Sequence, residues 1–192
     1  MRTHATRRAH LAPFIALGFL VSILCGCQSA VTRKPLTTES HVNLERFMGD
    51  WYVIANIPTR IERGAHNAVE SYRLAPDGRI LTTFTFRDGS FDGEPRQYEP
   101  VGFVRDRESN AIWGMRFIWP IKSDYRISYV DEDYSTTIVA REKRDYVWIM
   151  ARTPTLADAQ FEQLVSRVRG LGYDTSKLQR VPQRWPATGA AR

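Results

Sequence analysis

From Met48 to Arg152 the chain is a succession of short runs rich in β-branched and aromatic residues, broken by turn chemistry at intervals of roughly eight to twelve residues. That spacing suits an all-β barrel or sandwich. Strands are predicted over 49–57, 67–74, 79–87, 97–105, 111–118, 125–131, 136–142 and 146–152. The turns Pro76-Asp77-Gly78 and Asp88-Gly89-Ser90 place glycine where positive φ is needed, and 106–110 and 143–145 are short and polar. Short connections join antiparallel neighbours, so the strands form an up-and-down meander. Eight of them can close, which removes exposed edges and leaves an interior that holds one small ligand. A stacked sandwich needs longer crossing connections than this sequence offers.

After the eighth strand, Thr155 and Asp158 have the spacing of a capping box, and Phe161, Leu164, Val165, Val168 and Leu171 recur at helical spacing before Gly170 and Gly172. A single helix following a complete set of strands packs outside the barrel. Lys177 to Val181 is expected to add a short strand, and 183–192 a flexible tail.

The beginning of the chain belongs to export. Arg2, Arg7 and Arg8 precede a mostly apolar run, Leu11 to Leu24, too short to span a bilayer as a stable anchor. It ends in Leu24-Cys25-Gly26-Cys27, which resembles the lipobox of bacterial lipoproteins. That resemblance implies a signal peptide over 1–26, cleavage after Gly26, and acylation of Cys27. Acyl chains contribute about 0.8 kcal/mol per buried CH₂, enough together for permanent anchoring. Gln28, in place of aspartate, points by the same resemblance to the outer membrane. Residues 27–40, small, polar and interrupted by Pro35, read as a lipidated tether, and 41–182 as the folded domain.

Loss of three arginines reduces the formal charge of +6 by half, so the high pI gives no case for a nucleic-acid partner. Both cysteines sit at the processing site. A cysteine nucleophile, a thiolate metal site and a disulfide scaffold are therefore excluded from the domain.

Three motifs in order carry a family resemblance: Gly49-Asp50-Trp51-Tyr52 after a helical turn and followed by Ile57-Pro58; Val130-Asp131-Glu132 with Tyr134; and Trp148-Ile149-Met150-Ala151-Arg152-Thr153-Pro154. The chain resembles the lipocalins over about 40–182, in particular bacterial outer-membrane lipoprotein lipocalins and apolipoprotein D. The resemblance implies an all-β, eight-stranded antiparallel up-and-down barrel, the lipocalin calyx, with its C-terminal α-helix outside. It also implies structural roles for Gly49, Trp51, Asp131 and Arg152. Trp51 should plug the closed end, Arg152 should lie across its indole and donate to carbonyls of the opening turn, and Asp131 should hold a turn between strands.

Side chains alternate along strands, so an inward Trp51 makes Val53 and Ala55 inward as well. The resemblance supplies the remaining registers: Ala68, Glu70 and Tyr72; Thr82, Phe84 and Phe86; Trp113, Met115 and Phe117; Trp148 and Met150. Of these, Val53, Ala55, Glu70, Tyr72, Phe84, Phe86, Trp113, Met115, Phe117, Trp148 and Met150 are the candidate ligand contacts, around a cavity of a few hundred Å³ on the order usual for small ligands. A filled core is the competing reading for any one of them. The mouth is expected from 58–66, 87–96, 119–124 and 142–145. Arg60, Arg63, Arg87, Arg96, Lys122, Lys143 and Arg144 lie there beside as many acids (Glu62, Asp88, Asp92, Glu94, Asp124, Glu142, Asp145), which makes a mixed-charge rim.

Enzymatic readings find little support. The domain's histidines, His41 and His66, form no pair at metal spacing, and no G-x-S-x-G or phosphate-cradling glycine loop occurs. No cofactor or metal is required. The leading expectation is a membrane-anchored carrier, held at the bacterial outer membrane through lipidated Cys27 and facing the periplasm. It would store or transport fatty acids or lysophospholipids. A structural or interaction lipoprotein with a filled barrel is the alternative, ahead of a calyx enzyme acting on a hydrophobic substrate. The oligomeric state is open, a homodimer being one option.

Overall fold

A computed structural model describes residues 34–118 and 120–186. The signal peptide, Cys27, the first part of the tether and residues 187–192 of the tail lie outside the described residues.

A one-turn helix, α1 (Leu44–Phe47), is capped by Asn43, whose Oδ1 accepts from the Arg46 amide at 3.0 Å. Strands β1 (Gly49–Ile57), β2 (Ala65–Leu74) and β3 (Arg79–Asp88) follow, with a 3₁₀ turn over Arg60–Glu62. The expected strand 97–105 is two segments, β4 (Pro95–Tyr98) and β5 (Val101–Val104), both paired with β3. Pro100 separates them because its ring removes a ladder donor, while its carbonyl still accepts from the Thr82 amide at 3.1 Å. Next come β6 (Ile112–Ile118), β7 (Ile121–Val130), β8 (Thr136–Ala140) and β9 (Val147–Ala151). Every neighbouring pair is antiparallel, and β9 pairs back onto β1, closing an eight-strand barrel in which β4 and β5 share one position.

Helix α2 (Asp158–Gly170) lies outside, as expected, burying Phe161, Leu164 and Val168 against Ile54, Ile138, Ala140, Val147 and Ile149. Strands β8 and β9 are thus buried on both faces, which explains the unbroken apolar sequence of β9 and why only two threonines interrupt that of β8. The helix's capping box does not form. Its N-cap is Ala157 with no side-chain cap, and Asp158 instead accepts from Arg180 at 3.3 Å.

The tail from 183 is not loose at its start. Strand β10 (Gln179–Arg180) pairs with β1, and Gln183 donates through Nε2 to the carbonyls of Val53 (2.8 Å) and Ala68 (3.2 Å). Strands β1 and β2 pair only over Gly49–Tyr52 against Val69–Tyr72; beyond that the tail fills the gap between them and buries Val181 with the barrel interior. Asn67, at φ +49°, marks the matching irregularity in β2 and donates its amide to the Pro182 carbonyl at 2.8 Å.

Candidate functional site

The closed end is built from the opening helical turn and the end of β9. Trp51 is fully buried and donates Nε1–H to the Phe47 carbonyl at 2.8 Å. The Arg152 guanidinium lies 3.8 Å from the indole centre and donates to the carbonyls of Arg46, Met48 and Asp50, each at 2.8 Å. Gly49 sits at φ +92°, and a Cβ there would lie 3.3 Å from Arg152 Nη1. Asp131 holds the turn between β7 and β8: its carboxylate accepts from Ser135 Oγ (2.6 Å), Thr136 Oγ1 (2.8 Å) and the Thr136 amide (2.8 Å). Those hydrogen bonds outweigh its partial burial and hold its pKa below the ordinary value.

Above this plug the lower half of the barrel is solid. Phe47 packs on Trp51 (5.1 Å between centroids) and edge-on to Trp113 (5.6 Å), and Trp113 stacks on Tyr125 at 5.1 Å. Val53 and Met150 pair across β1 and β9 and fill the space beside them. Among the described residues a cavity of about 70 Å³ opens toward the mouth. This corrects the expectation of a few hundred Å³: Tyr72 and Trp113, assigned to a ligand wall, pack on Phe47 and Tyr125 instead. Such a volume takes a few water molecules, well below the ~300 Å³ at which small-ligand pockets begin.

Of the expected contacts, Glu70, Phe84, Met115, Phe117 and Trp148 line this cavity. Tyr72, Trp113, Val53 and Met150 lie buried in the core, and Phe86 stacks on Tyr98 at 6.2 Å. Ala55 is a correction. Strand β1 has a bulge between Val53 and Ala55, so Ala55 pairs with Ile149 and joins the cluster beneath α2 instead of facing inward. Simple alternation from Trp51 could not foresee that extra residue.

Sequence reasoning missed Pro100, Tyr125 and Arg141 on the cavity wall, and placed Thr59, Ile61, Glu62, Ser123 and Asp124 only at the mouth. For Glu62 a signal existed. Thr59-Arg60-Ile61-Glu62 has capping-box spacing, and Glu62 Oε2 accepts from the Thr59 amide at 2.8 Å. Its other oxygen accepts from Trp148 Nε1 at 2.7 Å, which ties the mouth loop to β9.

Further down the same cavity wall from buried Glu62 lies Glu70. The Tyr72 hydroxyl donates to it, and Tyr72 Oη lies 2.7 Å from Tyr125 Oη. Desolvation, aided by the charge of Glu62, pushes the Glu70 pKa from 4.5 up to about 8, so it is a neutral carboxylic acid at pH 7. The same burial, with the Glu70 charge adding to it, drives the Tyr125 phenol well above its ordinary value.

The rim is wired by charge. Arg126 bridges Asp124 and Glu142 at 3.0 Å each, Arg144 reaches Glu142 at 3.5 Å, and Arg96 pairs with Asp88 at 3.1 Å. Among the described residues no group of three His, Cys, Asp or Glu side chains is arranged to hold a metal ion. His66 turns Nδ1 to the Gly64 carbonyl at 2.9 Å.

A family profile described as a lipocalin-like domain matches residues 42–183. The chain belongs to the lipocalin-like family. Temperature-induced lipocalin-1 of Arabidopsis thaliana is 30% identical over 163 residues, 79% of this chain and 84% of its own length. Outer membrane lipoprotein Blc of Escherichia coli K12 is 27% identical over 173 residues, covering 90% of this chain and 97% of that protein. Insecticyanin of the tobacco hornworm Manduca sexta superposes with a TM-score of 0.62 at 13% identity, over 80% of this chain and 86% of its own, a likeness of fold alone.

Proposed function

We propose that this lipocalin is a lipid-binding lipoprotein of the bacterial envelope, acylated on Cys27, that takes the alkyl chain of a fatty acid or lysophospholipid in through its mouth. The observation that carries the reading is a cavity that opens toward the mouth and is walled largely by apolar side chains, among them Phe84, Met115, Phe117 and Trp148. A chain buried there gains about 25 cal/mol per Å² of apolar area.

At about 70 Å³ the cavity admits such a chain only when side chains yield. Met115 is unbranched and pliable, and Phe117 is 51% exposed, so both can swing toward the mouth. A protonated Glu70 adds no second charge beside buried Glu62 on the cavity wall. The polar head stays at the rim, within reach of Arg60 and Arg63. Likeness to a protein named an outer membrane lipoprotein supports the outer membrane as the site, and the domain is proposed to face the periplasm. The role is carriage without chemistry.

A lipid extract of the purified protein, analysed by mass spectrometry, tests this together with titration by fatty acids and lysophospholipids followed through Trp148 emission. Bound lipid and a saturable response at some chain length are expected. A flat response at every length favours the second reading, an interaction lipoprotein, which the solid lower half of the barrel supports.

A further inference from the structure

We propose that the mouth of the barrel faces, and seats its apolar rim in, the phospholipid leaflet that carries the chain's own anchor. The proposal rests on acylation of Cys27 as read above, and adds an orientation and a partner surface.

The path of the chain into the domain is the first observation. The Lys34 carbonyl accepts from Arg144 Nη2 at 2.8 Å, and the Leu36 amide donates to the Glu142 carboxylate at 3.2 Å. Arg144 and Glu142 belong to the β8–β9 loop, which is at the mouth. From there the segment descends: the Glu39 amide donates to the Ile127 carbonyl at 3.0 Å, and the Val42 amide to the Ser109 carbonyl at 2.7 Å, beside the β5–β6 turn at the closed end. The tether therefore joins the domain at the mouth, and its last residues are pinned to the barrel wall.

Reach makes this decisive. Only residues 28–33 separate Cys27 from Lys34, a span of at most about 25 Å when fully extended. A ten-residue strand such as β7, at ~3.3 Å per residue and a ~40° tilt, gives the barrel a height of about 25 Å before its loops are added. A barrel standing closed end down would need that tether pulled straight along its whole flank. Mouth down, it has slack.

The second observation is independent of the tether. Three of the four large apolar side chains left exposed among the described residues sit on this rim: Ile61 (42%), Phe117 (51%) and Ile121 (67%). Exposed Arg60 and Arg63 flank Ile61, placed to meet headgroup phosphates as the apolar residues enter the acyl boundary, whereas the Lys122 ammonium lies 3.8 Å over the Phe103 ring on the barrel wall. A ligand chain would then pass between leaflet and calyx without crossing water.

The test uses the full acylated chain in vesicles of phosphatidylethanolamine and phosphatidylglycerol, with nitroxide-bearing lipid as quencher. A fluorophore is attached at Ile61→Cys or Ile121→Cys on the rim, or at Asp77→Cys in the closed-end turn. The mass of the mature protein independently reports acylation. With the anchor confirmed, the proposal expects loss of most emission at positions 61 and 121, none at 77, and release of the rim label from quenching when Phe117→Ser and Ile61→Ser are added to Ile121→Cys. Unquenched rim labels, or a quenched label at 77, would overturn the orientation while leaving the anchor intact. Rim labels shielded from lipid in a protein that elutes as a dimer would also overturn it, in favour of a second copy of the chain. A mature mass without acyl groups would instead refute the anchor itself.

Discussion

The guanidinium of Arg152 stacks 3.8 Å above the indole of Trp51 while the same group gathers the carbonyls of Arg46, Met48 and Asp50. One side chain at the end of the last barrel strand thus holds both the plug and the backbone turn that delivers it. Lysine has a single ammonium, which cannot spread over the indole and satisfy three carbonyls in different directions. Arg152→Lys is expected to cost about 2 kcal/mol and Arg152→Ala about 3, since hydrogen bonds to a charged donor are worth roughly 1.5–3 kcal/mol each and water recovers part of the loss. Urea unfolding followed by far-UV circular dichroism measures both, and a lysine variant as stable as the parent would remove this role from Arg152.

Glu70 should make stability fall as pH rises. Its pKa is raised from 4.5 to about 8 in the folded state, so between those values the native protein holds a proton that the unfolded chain has released. The contribution is complete below pH 4.5 and is lost progressively up to about pH 8, at up to roughly 1.4 kcal/mol per pH unit, with no further change above. Glu70→Gln should abolish this slope and gain most over the parent at pH 9. The comparison is the difference between parent and variant in urea midpoint from pH 5 to 9. Lipid binding should weaken over the same upper range as the cavity acquires a second negative charge beside Glu62.

Glu62 couples to that titration from the mouth. Its charge helps to raise Glu70, and its carboxylate accepts from Trp148 Nε1 and the Thr59 amide. Glu62→Gln retains an acceptor but removes the charge, so the Glu70 transition should move down from about 8 toward its ordinary value. Glu62→Ala should also release the indole. A change in Trp148 emission is expected, with ligand entry several-fold faster, read by stopped-flow fluorescence. An unchanged entry rate would deny the Glu62–Trp148 contact any part in gating.

The strands were legible because their determinants are local, turn residues at regular spacing, whereas the pairing of Trp51 with Arg152 came from the family resemblance. The part played by Asp131 came from the family resemblance, and its partners Ser135 and Thr136 lie within five residues of it. The site was harder. A bulge of one residue in β1 moved Ala55 from the interior to the face beneath α2, and period-two reasoning has no means of counting a residue that does not pair. Cavity volume failed for another reason. Inward direction can be read from alternation, but whether Phe47, Tyr72, Trp113 and Tyr125 meet one another or a ligand depends on packing across the barrel, between residues distant in sequence.

The C-terminal segment offers a last test, because its contribution was invisible to composition. Gln183 spans the split between β1 and β2, donating to Val53 on one side and Ala68 on the other, and Val181 plugs the interior beneath it. Without these residues four backbone partners lose their hydrogen bonds, namely the carbonyls of Val53, Ala68 and Ile54 and the amide of Asn67, and the barrel gains a lateral opening. Gln183→Ala, which leaves two of those carbonyls unpaired, should cost about 1–2 kcal/mol. Ending the chain after Arg180 removes the buried valine as well and should cost about 3. Hydrogen exchange locates the effect: the Asn67 amide, bonded only to the Pro182 carbonyl in this seam, should lose protection in the truncated chain, while amides of β8 and β9 beneath α2 keep theirs. Uniform loss of protection across the barrel would mean that the segment supports the whole fold and not the seam alone.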